Sequence, residues 1–272
     1  MKIFILTLES SNKNQELISS LKKFSNEVEL VYAISPRDSK FVKVLEKFNA
    51  NGTKAKLGYN MSNNAISCFF GHQQIHDCIV KSREKWALVL EDDVSVIDLS
   101  KSLIEKTIEV LDSKTPTVVQ LFTRGERFVS NKSVSHILDH SLFEFKCAPG
   151  QTAAYLINRE AAKLSVLDKS GIGPADWPMW AARVKFYCLF PFLFFENSEG
   201  SRIPTPTLNR MTYWKHAIFT ITFLNWLKNR SHFGSLRFYV TMLWKPIWFR
   251  ISWRLRGSPT FPQDSESGLW VV

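Results

Sequence analysis

Glu91, Asp92 and Asp93 stand side by side at the end of the apolar run Trp86-Ala87-Leu88-Val89-Leu90. Adjacent carboxylates repel: two like charges ~4 Å apart cost roughly 4 kcal/mol at an effective dielectric of 20. A divalent cation relieves that repulsion, and hard carboxylate oxygens suit Mn²⁺ or Mg²⁺. Side chains alternate along extended backbone, which sends Glu91 and Asp93 one way and Asp92 the other. The expectation is a metal touching Asp93, with Glu91 or Asp92 helping directly or through water; Glu91 is taken as the second ligand and also as a catalytic carboxylate. The plain alternative is a strand that flows into a solvated turn capped by Asp93. A second acid, Asp176, lies in Gly173-Pro174-Ala175-Asp176-Trp177-Pro178. A carboxyl among aromatic residues rises toward the working range of a general base; the alternative role is to cap the short helix that follows. His72 is expected as a packing histidine. His216 and His232 could complete a metal shell, or be surface residues of a basic tail.

These residues need elements to hold them. The unbroken apolar run before the acids predicts a strand buried on both faces, the kind found inside α/β sheets. In such sheets ligands bind just beyond the carboxyl ends of the strands, where the three acids sit. Residues 2–8 predict another buried strand, with an apolar stretch too short for a signal-peptide core. Leu17, Ile18, Leu21 and Phe24 make a helical stripe over residues 14–24, and 28–34 predict a second strand. No GxGxxG follows the first strand, which leaves the usual dinucleotide-binding fold without support.

Residues 37–60 are polar and predict a long loop with one short helix at 41–48. Residues 62–80 predict a helix carrying Gly71-His72 in its middle. A mid-helix Gly costs about 1 kcal/mol against Ala, so a close approach is expected there. A helix at 99–111, a strand at 117–122 and a hairpin within 126–145 follow. Residues 150–157 predict a strand with small residues at its entry, and Asn158-Arg159-Glu160 opens a helix through Leu167. The apolar run 186–195 is broken by Pro191 and falls short of the ~20 residues that span a bilayer.

The 272 residues suit one large domain, or one domain with an appendage. Cys68, Cys78, Cys147 and Cys188 form no CxxC, which argues against a zinc site or a disulfide framework and fits a reducing cytoplasm. The net charge of +10 is carried entirely by residues 200–263, which hold ten basic residues and no Asp or Glu. Trp214, Trp226, Trp244, Trp248 and Trp253 lie in the same stretch. Basic residues interleaved with aromatics describe helices lying on an anionic membrane surface. Nucleic-acid binding is the rival, with no recognisable motif to support it, and a helical subdomain packed on the core is the plain alternative.

Several segments, in order, resemble glycosyltransferase family 25, the bacterial lipooligosaccharide galactosyltransferases. Ile3-Phe4-Ile5-Leu6-Thr7-Leu8 resembles the family's opening strand. Ala65-Ile66-Ser67-Cys68-Phe69-Phe70-Gly71-His72 resembles its A-C-x-x-S-H helix, with Gly71 in place of Ser. Leu88-Val89-Leu90-Glu91-Asp92-Asp93-Val94 resembles its acidic strand. Gly150-Gln151-Thr152-Ala153-Ala154-Tyr155-Leu156-Ile157 resembles its Gly-Thr-Ala block, with Gln151 as an extra residue, and Asp176 matches a later Asp of the pattern. The family's paired Arg after the first strand is replaced by Ser11-Asn12-Lys13-Asn14.

The resemblance covers residues 2–203. It implies an α/β, GT-A-like nucleotide-sugar-binding domain, a UDP-sugar donor, inversion at the anomeric carbon and a lipid-linked saccharide acceptor. It further implies donor contacts at Thr7, Leu8, Glu91, Asp92 and Gln151, a metal at Asp93 and Glu91, and Asp176 as the base. The division expected is a transferase domain over 1–205 and a basic, aromatic helical tail over 206–272. That tail would hold a cytoplasmic enzyme on the inner face of the bacterial inner membrane, with no nucleic-acid partner. Two other readings stay open: a binding protein whose acidic strand is structural, and a metal-dependent phosphohydrolase.

Overall fold

In the computed structural model the described residues are 1–8, 12–57, 60–122, 127–129, 133–145, 149, 151–173, 176–196 and 269–271. The elements are β1 (Lys2–Thr7), α1 (Asn12–Lys22), β2 (Val28–Tyr32), α2 (Phe41–Lys47), α3 (Ala50–Leu57), α4 (Asn63–Lys81), β3 (Trp86–Glu91), β4 (Val94–Val96), α5 (Lys101–Glu109) and β5 (Thr117–Gln120). Then come β6 (Arg127–Val129), β7 (Ser135–Ile137), β8 (His140–Glu144), β9 (Ala154–Asn158), α6 (Arg159–Leu167), a 3₁₀ turn (Met179–Arg183), β10 (Lys185–Phe190), β11 (Phe194–Glu196) and β12 (Leu269–Val271).

Eight strands form one mixed sheet in the order β2-β1-β3-β9-β5-β10-β8-β7. β1 runs parallel to β2 and β3, and β5 parallel to β10. β9 is antiparallel to both β3 and β5. The predicted buried strands are central, and their unbroken apolar runs have a simple cause. Ile3, Ile5, Leu88 and Leu90 face one core with α1 and α5, while Phe4, Leu6, Ala87 and Val89 face the other with α4 and α6. With both faces covered, the middle of each strand leaves no position for a polar residue, and Lys2, Thr7 and Glu91 stand only at the ends.

α4 starts at Ser62, whose side chain accepts from the Ala65 backbone N–H, as an N-cap should. The close approach expected at Gly71 is present: a Cβ there would lie 2.5 Å from Leu6 Cδ1 and 3.0 Å from Ala33 Cβ. Glycine lets α4 lie directly on β1, which brings the helix within reach of the carboxyl end of β3. Asn158 closes β9 and caps α6. Its Oδ1 accepts from the Ala161 and Thr117 N–H groups at 3.0 Å each, and its Nδ2 donates to the Thr115 carbonyl.

Three expectations are corrected. Residues 37–60 are not one long loop with a single helix but carry both α2 and α3. α2 seats Phe41 and Val44 in a small core with Phe48 and Ile66. At α3, the Asn49 side chain accepts from the Gly52 N–H at 2.8 Å. The hairpin expected within 126–145 is confined to β7 and β8, because β6 pairs instead with β12 near the end of the chain. Third, β3 stops at Glu91 and residues 92–93 form a turn, so strict alternation ends at Glu91. The basic, aromatic stretch 200–263, with His216 and His232, lies outside the described residues. Among those residues, no helix is long and apolar enough to cross a membrane.

Candidate active site

The carboxyl end of β3 gathers the acids, and the strand pairing decides what surrounds them. β1 and β3 are in register with Leu6 opposite Glu91, so the next residues, Thr7 and Asp92, become neighbours. The Thr7 hydroxyl donates to Asp92 Oδ2. Leu8, just beyond, packs half-buried against the α4-side core.

Because β9 is antiparallel to β3, the segment entering β9 also lies at this end. The Glu91 N–H donates to the Ala153 carbonyl at 2.8 Å, which sets residues 151–153 against the acids. Gln151, the extra residue of the Gly-Thr-Ala block, has φ +67°. A non-glycine residue in that region is uncommon and costs energy unless its surroundings hold it. Here its N–H donates to Asp176 Oδ2 at 2.8 Å, and its carbonyl accepts from Gln120 Nε2 at 2.9 Å. Its Nε2 reaches Glu196 Oε2 at 3.4 Å. Gln151 thereby ties Asp176 and Glu196 to the β3 end.

Asp176 is not the cap of the following helical turn. That position is held by Pro178, which makes no side-chain cap bond. The carboxylate is aimed instead at the segment entering β9.

Glu91 shares the parity of Ala87 and Val89, so it faces α4. His72 Nε2 and the Thr152 hydroxyl both lie against its Oε1, at 3.2 and 2.7 Å. Burial pushes the Glu91 carboxyl up, but the bonds from His72 and Thr152 outweigh it and hold the group below its ordinary value. Asp93 moves the other way. Burial, then Glu91, Glu196 and Asp92, push its carboxyl from 3.8 up to about 7. Its Oδ1 is buried with no hydrogen-bond partner among the described residues. A buried oxygen without a donor, with three carboxylates acting on it, fits a hard divalent cation.

The structure therefore brings together Thr7, Glu91, Asp92, Asp93, Gln151 and Asp176. It adds Glu196, His72, Thr152 and Tyr155, which sequence reasoning left out of the site. β11 pairs with β4 so that Glu196 stands opposite Val94, next to Asp93; no motif marks that pairing. His72 is buried and satisfied, as a packing histidine would be, yet its partner is a site carboxylate. The signal for it was the four-residue spacing of His72 and His76 on one face of α4. Cys68, His72 and Glu91 also offer ligand atoms within 4.8 Å of one another, but the two ring nitrogens of His72 are already engaged by Glu91 and Tyr155, and burial raises the Cys68 thiol well above its ordinary value. Cys68, Cys78 and Cys188 are free thiols.

Two solved structures show distant likeness. One is named a glucose-1-phosphate thymidylyltransferase from Bacillus anthracis, in complex with a sucrose. It is 13% identical, covers 72% of this chain and 89% of its own, and has a TM-score of 0.38. The other is a glycosyltransferase involved in glycosylation of the major capsid of PBCV-1, 14% identical over 65% of this chain and 70% of its own, TM-score 0.32. No curated protein matches. Residues 1–170 match the family described as glycosyltransferase family 25 (LPS biosynthesis protein). That span holds the β1 end, the α4 histidines, the acids and the segment entering β9, and it ends before Asp176 and Glu196. The chain belongs to glycosyltransferase family 25, the glycosyltransferases of lipopolysaccharide biosynthesis.

Proposed function

We propose that the protein is an inverting, metal-assisted hexosyltransferase of GT-A-like architecture. It would move a hexose, galactose first, from a UDP-sugar to the saccharide part of a lipopolysaccharide or lipooligosaccharide core. The observation that carries this is Asp93, whose buried oxygen has no donor among the described residues and whose carboxyl is raised by burial and by the charges of Glu91, Glu196 and Asp92. Asp93 and Glu91 would hold Mn²⁺ or Mg²⁺, which when bound neutralises charge on a departing diphosphate. Thr7, Leu8, Asp92 and Gln151 line the donor side. Asp176, fixed by the Gln151 N–H, takes the proton from the acceptor hydroxyl as that oxygen attacks the anomeric carbon.

Residues 1–205 would make up the transferase unit and 206–272 a basic, aromatic tail. The tail's charge and tryptophans suit an anionic leaflet, where each basic residue contributes ~1 kcal/mol. In this reading the enzyme works on the cytoplasmic face of the inner membrane, beside a lipid-linked acceptor, with no nucleic-acid partner. Removing residues 212–272 should abolish co-sedimentation with vesicles containing phosphatidylglycerol. Undiminished co-sedimentation would refute the tail's role.

The transfer reading is tested by incubating the protein with UDP-galactose, UDP-glucose and UDP-N-acetylglucosamine, a lipooligosaccharide core acceptor and Mn²⁺. Proton NMR of the product then reads its anomeric configuration. UDP-galactose should be consumed fastest, in an EDTA-sensitive reaction, giving the anomer opposite to that of the donor. Failure to consume any donor would return the acidic turn to a structural role, and retention of configuration would exclude the single displacement.

A further inference from the structure

A line of buried polar side chains leaves the site through the core. His72 Nδ1 lies 3.0 Å from the Tyr155 hydroxyl, and His76 Nε2 lies 2.9 Å from the same oxygen. His76 Nδ1 lies 2.8 Å from Ser165 Oγ on α6. His72, His76, Tyr155 and Ser165 are all buried. At the near end, His72 Nε2 lies against Glu91 Oε1. Two aromatic walls fix the rings: Trp180 meets His76 edge-on at 5.4 Å and Trp177 meets Tyr155 at 5.1 Å. Trp177 directly follows Asp176, so one segment braces the line and carries the proposed base.

Hydrogen-bond chemistry gives this line a direction. An ionised carboxylate only accepts, so His72 must donate from Nε2. Its Nδ1 is then the acceptor and takes the Tyr155 proton. The Tyr155 oxygen, its proton committed, accepts from His76 Nε2–H. His76 Nδ1 is left to accept from Ser165. Every bond in the series is made once, with one hydrogen on each ring. Two properties of the residues agree. Burial pushes His76 down to about 3 and raises Tyr155 well above its ordinary value, which keeps both groups uncharged inside the core. The reverse direction would put a second hydrogen, and a charge, on His72 and bury an ion pair with Glu91, where desolvating the added ion costs several kcal/mol against the attraction gained.

We infer that Ser165, His76, Tyr155 and His72 form one oriented hydrogen-bond chain, both rings carrying their hydrogen on Nε2, and that this chain positions the Glu91 carboxylate for the transfer site. The chain fixes Oε1 of Glu91 together with Thr152 and so holds the carboxylate in one orientation at the end of β3. None of the three distal residues touches substrate; they are positioning residues. The role at Glu91 rests on the transferase reading above, whereas the orientation of the chain does not.

Two measurements test it. Long-range ¹H–¹⁵N correlation spectra of the metal-free wild-type protein at pH 7.5 should show His72 and His76 as Nε2–H tautomers. Either ring as the Nδ1–H tautomer, or protonated on both nitrogens, would overturn the chain. This result decides the orientation whether or not transfer is detected. The second measurement uses Tyr155→Phe, which keeps the ring and deletes the shared hydroxyl. Loss of a partner that orients a ligand residue typically costs ten- to a hundredfold. We expect kcat to fall about tenfold or more at an unchanged KM for the UDP-sugar, with the His72 and His76 signals moving away from the pure Nε2–H pattern. Ser165→Ala, which removes only the far donor, should shift the His76 signal and lower kcat less. Wild-type kcat in both variants, or identical imidazole signals in both, would refute the positioning role.

Discussion

Asp93→Asn should lower transfer by roughly a hundredfold or more and, in the absence of metal, make the protein more stable at pH 8. The activity loss follows from removing the charge that holds a cation beside the departing diphosphate. Interactions of that kind contribute on the order of 10²–10³ in rate. The stability gain follows from linkage. Burial, Glu91, Glu196 and Asp92 push the Asp93 carboxyl from 3.8 up to about 7. The folded protein therefore keeps this proton to about pH 7, while the unfolded chain releases it near pH 4. Between those values the unfolded state binds fewer protons, and stability falls as pH rises. The contribution is fully present below about pH 4 and lost by about pH 7. Asparagine cannot ionise, so the variant escapes the decline. Thermal unfolding at pH 5 and pH 8, with Mn²⁺ and with EDTA, checks this. Metal-free wild type should lose Tm between the two pH values and regain it with Mn²⁺; the variant should show neither change. A variant that falls in parallel with the wild type would mean that Asp93 is solvated and ionised like an ordinary turn residue.

Asp176→Asn should lower kcat by roughly 10²–10⁴, the usual contribution of a positioned base, while UDP still binds. Asp176 Oδ2 accepts from the Gln151 N–H, and Gln151 sits at φ +67° with its carbonyl and side chain also engaged. Asparagine preserves an acceptor at that position and so preserves the anchor; only the proton-accepting capacity is lost. Asp176→Ala removes both, and should in addition weaken UDP binding as Gln151 relaxes. The pair separates base from anchor. A slow but UDP-binding asparagine variant identifies a base; an asparagine variant with wild-type kcat would show that Asp176 only anchors the segment entering β9.

The sequence carried the central strands and the acidic end clearly because both depend on local pattern. An apolar run without alternation has one common explanation, and Ser62 and Asn158 announce their helices through their own side chains. What stayed hidden depends on pairings between distant segments. Glu196 follows two phenylalanines in an apolar run and looks like the end of a strand; only the antiparallel pairing of β11 with β4 sets it beside Asp93. His72 is a buried polar residue on a helix face it shares with Ser67 and His76. Its meaning depends on Gly71 admitting β1 closely enough and on the parity that turns Glu91 toward α4. Residues 37–60 looked like loop because α3 has almost no apolar stripe. That helix is held by the Asn49 cap and by the fit of Thr53, which is buried, against the Gly173 N–H. The inserted Gln151 looked like a departure from a pattern, and its left-handed backbone and three bonds show why a residue of its kind stands there.

The most direct test of the central claim, a divalent cation and a nucleotide diphosphate meeting at Asp93, is calorimetric titration of UDP into the protein with Mn²⁺ and again with EDTA, alongside Asp93→Ala. Saturable binding that requires Mn²⁺ and is lost in the variant is the expected result. Equal binding in EDTA, binding that survives in Asp93→Ala, or no binding in any condition would contradict it.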